Sequence, residues 1–303
     1  MGGVATVPSL PSAVSEAGGL GMVAALMSPR ETLTSLLDDV ERRTQSPYGV
    51  NFLMPFLDRG VVELAAARAR VVDFFYGDPD SSLVELVHQG GALAAWQVGS
   101  AEEARAAADT GCDFIVAQGI EAGGHVRGRL GLLPLLAEVL DVVDVPVVAA
   151  GGIATPRSVA AVLAAGAEAA RVGTRLIASI EAAEDGAHRV WVELLLRARG
   201  EDTVLTEAFS VTWPDAPHRV LRSALEAALA LDDEVIGTTV LMGMEMPVPR
   251  LWPRAPNPKT TGIIEAMSLY AGQSAGATRE IRPAAEILRE LAEGAEALLQ
   301  ARR

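Results

Sequence analysis

The stretch DFIVAQGIEAGGHVRG, Asp113 to Gly128, joins an apolar half to a half that holds a carboxylate, two adjacent glycines, a histidine and an arginine. His125 is one of only 4 histidines in the chain and directly follows Gly123 and Gly124. Imidazole titrates at about 6.5, nearest to neutrality of the side chains, which makes His125 the candidate general base. Glu121 stands four residues before it, but the intervening Ala-Gly-Gly is a poor helix. The spacing of a zinc-binding helix therefore does not apply, and no metal is expected. Gly151 and Gly152 follow VVAA, and Gly173 and Thr174 follow AARV. Either pair alone makes a tight turn. Together, at the ends of the last two strands of a parallel series, they suit a phosphate, because glycine lets main-chain N–H groups approach an anion and the helix opening at Thr155 adds its positive end. Asn51 after YGV and Gln118 after DFIVA are further polar residues at strand ends.

These residues must be placed by the elements around them. Apolar runs at 20–26, 48–54, 71–77, 92–98, 113–119, 145–152 and 169–174 alternate with stretches of helical periodicity, the pattern of a parallel sheet covered by helices. Ser28 before Pro29, Ser100, and Thr155 with Pro156 open helices, and Gly111 ends one. The runs are apolar almost throughout, as in strands covered on both faces. The expected fold is α/β, a TIM (β/α)8-type barrel whose first strand is missing or truncated, since seven runs are visible where such a barrel has eight strands. Only Met1 to Val7 are available to fill the seam between LGMVAAL and AARVGT, so either the gene product begins upstream or the barrel is open. Residues 1–183 are read as the barrel, 184–278 as a smaller, mainly helical appendage, and 279–303 as a C-terminal helix packing back on the barrel.

With 25 basic and 39 acidic residues the net charge is −14, which repels phosphate backbones and anionic lipid. Nucleic acid and membrane are not expected partners. The start shows no basic segment followed by a continuous apolar core, and no run reaches the roughly 20 residues of a spanning helix. A single cysteine, Cys112, excludes an intrachain disulfide framework and fits a cytoplasmic protein, where it reads as a small buried apolar residue. His88, His188 and His218 receive no role.

SEAGGLG, YGVNFLMPF, VAQGIEAGGHVRG, PVVAAGGIATPRSVAAVLAAGAEAARVGTR and YAGQSAG resemble, in order and spacing, the nitronate monooxygenases, formerly called 2-nitropropane dioxygenases, over nearly the whole chain. The resemblance implies FMN across the carboxyl ends of a barrel. It places Asn51 and Gln118 near the flavin ring or ribityl chain and Gly123 against it. Gly151, Gly152, Gly173 and Thr174 would cradle the phosphate, with His125 as catalytic base, and the methionine of the family's N-terminal motif would be Met1. The family usually has glutamine where this chain has Arg171, which would either strengthen the phosphate or flavin contact or form an ion pair. The implied reaction is oxidation of a nitronate or nitroalkane with O2, and a homodimer is compatible with the sequence. The same motifs are similar to flavin-containing enoyl-acyl-carrier-protein reductases and NADH:quinone reductases, so an NAD(P)H-dependent flavin reductase is the alternative. A barrel that binds a phosphorylated metabolite without redox chemistry is a third reading.

Overall fold

The seven apolar runs become seven parallel strands. They are β1 (Gly21–Ala24), β2 (Tyr48–Leu53), β3 (Val71–Phe75), β4 (Leu93–Val98), β5 (Phe114–Gln118) and, after a two-residue β6 (Gly124–His125), β7 (Val147–Ala150) and β8 (Ala169–Arg171). The computed structural model describes residues 4–241 and 243–301. Met1, the expected cofactor contact, lies outside them. Val4 to Val7 form no strand, although the Ala5 carbonyl accepts a hydrogen bond from the Ala24 N–H at 2.8 Å.

The sheet runs in the order β1-β2-β3-β4-β5-β7-β8. Laid flat, β8 would lie four strand spacings, roughly 19 Å, from β3. Instead Arg171 of β8 meets Asp73 of β3 at 2.7 Å. The sheet is therefore curled, and the side chains of its concave face meet across the interior. Register sets their level: Asn51 lies opposite Asp73, and Gln118 opposite Ala150, which lies opposite Arg171.

Helices cover the convex face. Leu33, Leu37 and Val40 of helix Arg30–Arg43 and Leu135, Leu136 and Val139 of helix Leu132–Leu140 are fully buried against it, each such side chain stabilising the fold by about 1.5–3 kcal/mol. Ser100 accepts from the Glu103 N–H at 3.2 Å. Thr155 and Ser158 form a reciprocal capping box, with Pro156 in the first turn. Behind Ser28 and Pro29 the helix starts without a side-chain cap. No helix among the described residues is long and apolar enough to cross a membrane.

The region expected to be mainly helical is mixed. Residues 184–278 carry β9 (Thr203–Thr206), β10 (His218–Leu221), β11 (Val235–Leu241), β12 (Met244–Pro249) and β13 (Thr261–Gly262) beside helices Arg189–Arg197 and Arg222–Leu229. PHRVLRSALEAALAL reads as one helix, yet HRVL is a strand. His218 and Arg219 are buried together with Val220 and Leu221 because the segment pairs on both sides, which its residue types do not announce. β10 pairs with β9 on one side and with β6 on the other, and β12-β11-β13 form a second small sheet. Pro247 and Pro249 are tolerated in β12 because it is an edge strand. The last helix begins at Ala284, behind Pro283, rather than at 279.

Candidate active site

A cavity of about 1200 Å³ lies at the carboxyl ends of the strands. Asn51, Gln118, Gly123, His125, Gly151, Gly152, Arg171, Gly173 and Thr174 all line it, so strands far apart in sequence bring the predicted residues to one place.

Its floor is a polar network inside the curled sheet. The Asp73 carboxylate, 1 % exposed, accepts from Arg171 and from the Asn51 amide, each at 2.7 Å, and Arg171 also donates to Gln97 Oε1 at 2.8 Å. Arg171 thus forms an ion pair, one of the two roles open to it. It fixes the Asn51 amide beneath the cavity.

Three segments frame the rim. The Gln273 N–H donates to the Glu121 carbonyl at 2.9 Å, and the Gly272 N–H donates to Thr174 Oγ1 at 2.9 Å. A Cβ on Gly123 would stand 2.4 Å from the Gly272 nitrogen. Close approach of two backbones is thus what requires glycine at 123. The Glu121 carboxylate accepts the Leu132 N–H with both oxygens at 3.0 Å, capping a helix whose own cap residue, Gly131, has no side chain to offer. Beside Glu121, Gly152 is left-handed, with φ of 69°. Among the described residues the main-chain N–H groups of Gly152, Gly173 and Thr174 donate no hydrogen bond. They are the donors an anion would take up.

His125 is held from every side. It is not in a free loop, since β6 pairs His125 with His218, and Gln118 Nε2 donates to its carbonyl at 3.1 Å. Trp213 stacks on its ring, with centroids 4.0 Å apart and planes at 24°. The rings of Tyr76, Tyr270 and His218 lie 5.9, 5.7 and 5.3 Å away. Although the residue keeps some exposure, its Nε2 is buried and unpartnered. Burial, with a smaller contribution from His218, pushes the ring down to about 3. At neutral pH it is an uncharged imidazole of low proton affinity.

The other histidines differ. His218 is fully buried, and its Nδ1 donates to the Ala216 carbonyl at 2.8 Å, which leaves Nε2 as an unpartnered acceptor. His188 Nδ1 accepts from the Val190 N–H at 3.2 Å and caps a helix. His88 pairs with Asp113 at 2.9 Å. Cys112 is buried, and burial raises its thiol to about 11. Sequence reasoning missed Trp213, Tyr76, Tyr270 and His218. Tyr76 directly follows β3, so strand-end position could have found it. Trp213 sits in a loop with no periodicity or motif around it.

The family model for nitronate monooxygenase matches residues 1–60 and 56–294. The chain belongs to the nitronate monooxygenase family. One relative is (3aS,4S,5R,7aS)-5-hydroxy-7a-methyl-1-oxo-octahydro-1H-indene-4-carboxyl-CoA dehydrogenase of Mycobacterium tuberculosis, 36% identical over 221 residues, covering 71% of this chain and 60% of that protein. The chain thus spans about 60% of the length of that relative. The structure is similar to FabK from Thermotoga maritima, with TM-score 0.79 and 30% identity, covering 99% of this chain and 92% of that one. It is also similar to nitroalkane oxidase from Streptomyces ansochromogenes, with TM-score 0.76 and 30% identity, covering 100% and 96%.

Proposed function

We propose that the protein is an FMN-dependent oxidoreductase that oxidises alkyl nitronates with O2 beside His125. The observation that carries this reading is the neutral, buried His125 ring at a cavity that also offers main-chain N–H groups unbonded among the described residues. The residues fit the cofactor. Gln118 Oε1 is buried and unpartnered at the cavity, ready for an N–H donor, and Gly152, Gly173 and Thr174 suit one terminal phosphate. One cradle suits a mononucleotide better than FAD. FMN, when bound, supplies the redox chemistry.

The chain's own residues choose the substrate. A neutral nitroalkane must lose an α-proton, and a base as weak as this imidazole takes it slowly. A nitronate arrives as the anion and needs positioning and exclusion of water, which Trp213, Tyr76 and Tyr270 provide around the ring. His125 serves nitroalkanes as catalytic base, and nitronates through its fixed position. Oxygen uptake with propionate-3-nitronate, together with mass spectrometry of the cofactor released on denaturation, tests the reading. Release of FAD, or no uptake by the FMN-loaded protein, would overturn it.

A second reading, an NAD(P)H-dependent flavin reductase, draws support from the likeness to FabK and to the CoA dehydrogenase. It predicts reduction of the bound flavin by NADH or NADPH.

A further inference from the structure

The wall of the cavity carries a cation without a counter-charge among the described residues. Arg254 is half-buried and lines the cavity. Its contact among the described residues is the Trp252 ring, 5.8 Å from the guanidinium carbon to the centroid, and no oxygen of those residues bonds it. Other shielded guanidinium groups here find oxygens: Arg68 at Glu41, Arg127 at Glu103, Arg171 at Asp73 and Arg219 at the Ile120 carbonyl. In a chain with 39 acidic and 25 basic residues, carboxylates are plentiful, yet none is placed at Arg254. Burial lowers its pKa, with no charged neighbour to offset the effect. A desolvated, unpaired cation is costly unless a ligand supplies the anion.

The loop is built to hold that group still. The Leu251 carbonyl accepts from the Val211 N–H at 3.3 Å, and the Pro256 carbonyl accepts from the His188 N–H at 3.1 Å. Arg254 lies between these two anchors, next to Pro253. Leu251 is left-handed, with φ of 62°, a strained conformation of the kind that gathers at ligand sites. Val211 stands two residues before Trp213, the residue stacked on His125, so both loops belong to one wall.

We propose that Arg254 binds an anionic group of the substrate, a carboxylate or a phosphate, carried on an apolar body whose other end lies at His125. The proposal rests on the reading that substrate reacts beside His125. The cofactor's phosphate is not the anion in question, because Gly152, Gly173 and Thr174 already offer it donors. The planar guanidinium presents paired donors that match either oxyanion.

The test is equilibrium binding to the FMN-loaded protein, read from perturbation of the flavin spectrum, so it stands whether or not nitronates are turned over. Two pairs of probes separate the anions: 3-nitropropionate against 1-nitropropane, and butyl phosphate against butanol. At least one anionic member should bind about tenfold tighter than its neutral partner. Arg254→Gln should abolish that preference without changing FMN affinity or the affinity for the neutral member, and Arg254→Lys should keep part of it. The proposal is overturned if the wild type discriminates in neither pair, if the preference survives in Arg254→Gln, or if FMN affinity falls instead, which would assign the guanidinium to the cofactor.

Discussion

The two rims of the cavity are built on opposite principles. On the β7–β8 side the functional groups are main-chain N–H groups, exposed by glycine and positioned by turns directly after the strands that carry them. On the other side they are the rings of His125, Trp213, Tyr76, Tyr270 and His218, the last four brought within 6 Å of the first by segments distant in sequence. The first rim can hold an anion common to many reactions. On the proposed reading the second decides what reacts, because it sets the protonation state of His125 and the shape above it. Substitutions on the first rim should therefore change cofactor retention, and those on the second should change turnover per bound cofactor.

The largest effect is expected beneath both rims. Arg171→Met leaves the buried Asp73 carboxylate without its cation and should cost about 3–5 kcal/mol of stability, while Arg171→Met with Asp73→Leu should recover much of it. Denaturant unfolding of the two variants checks this, and equal losses would show that the pair is not the source. Next comes Gly152→Ala. A side chain at φ of 69° is strained, and its Cβ would press on Glu121 Cβ at 3.2 Å. With a cost of about 1–2 kcal/mol, FMN affinity should fall about tenfold or more, measured by flavin fluorescence, with turnover per bound FMN unchanged.

Trp213→Ala probes the aromatic rim and should do the reverse. FMN stays bound, the His125 ring regains water and its pKa rises toward 6.5, and nitronate turnover falls on the order of tenfold as the ring loses its fixed position. A drop in FMN affinity with turnover intact would erase the distinction between the rims. The smallest effect is in stability against pH. His125 folds with its pKa lowered from 6.5 to about 3, so the unfolded chain binds more protons in that window. Its contribution is complete above pH 6.5 and is lost as pH falls toward 3. Between pH 7 and 6 the wild type should lose about 0.7 kcal/mol more than His125→Asn, read from their thermal midpoints. Parallel losses would show that the ring is not buried as neutral imidazole.

What was legible follows the same division. The strands, the caps at Ser100 and Thr155 and the glycine turns are local signals, and the strand-end and glycine residues expected at the site line one cavity, Met1 lying outside the described residues. His125 was legible through its motif, but its environment was not. β6 exists only because β10 comes to pair with it, and the buried HRVL of β10, with His218 and Arg219 at its start, carries no local sign of that pairing. Trp213 acts through a stacking contact made across 88 residues, for which no local pattern exists. The Arg171–Asp73 pair needed the curl of the sheet, since the two strands are not neighbours within it. Gly123 was expected to lie against a ring, and its tightness is explained by the backbone of Gly272.

The most direct test of the central claim is an anaerobic one. The FMN-loaded protein is mixed separately with propionate-3-nitronate, NADH and NADPH, and the flavin absorbance is followed. The account predicts that the nitronate bleaches it while neither nicotinamide does so at a comparable rate. Rapid bleaching by NADH or NADPH, with none by the nitronate, would contradict it and assign the site to reduction.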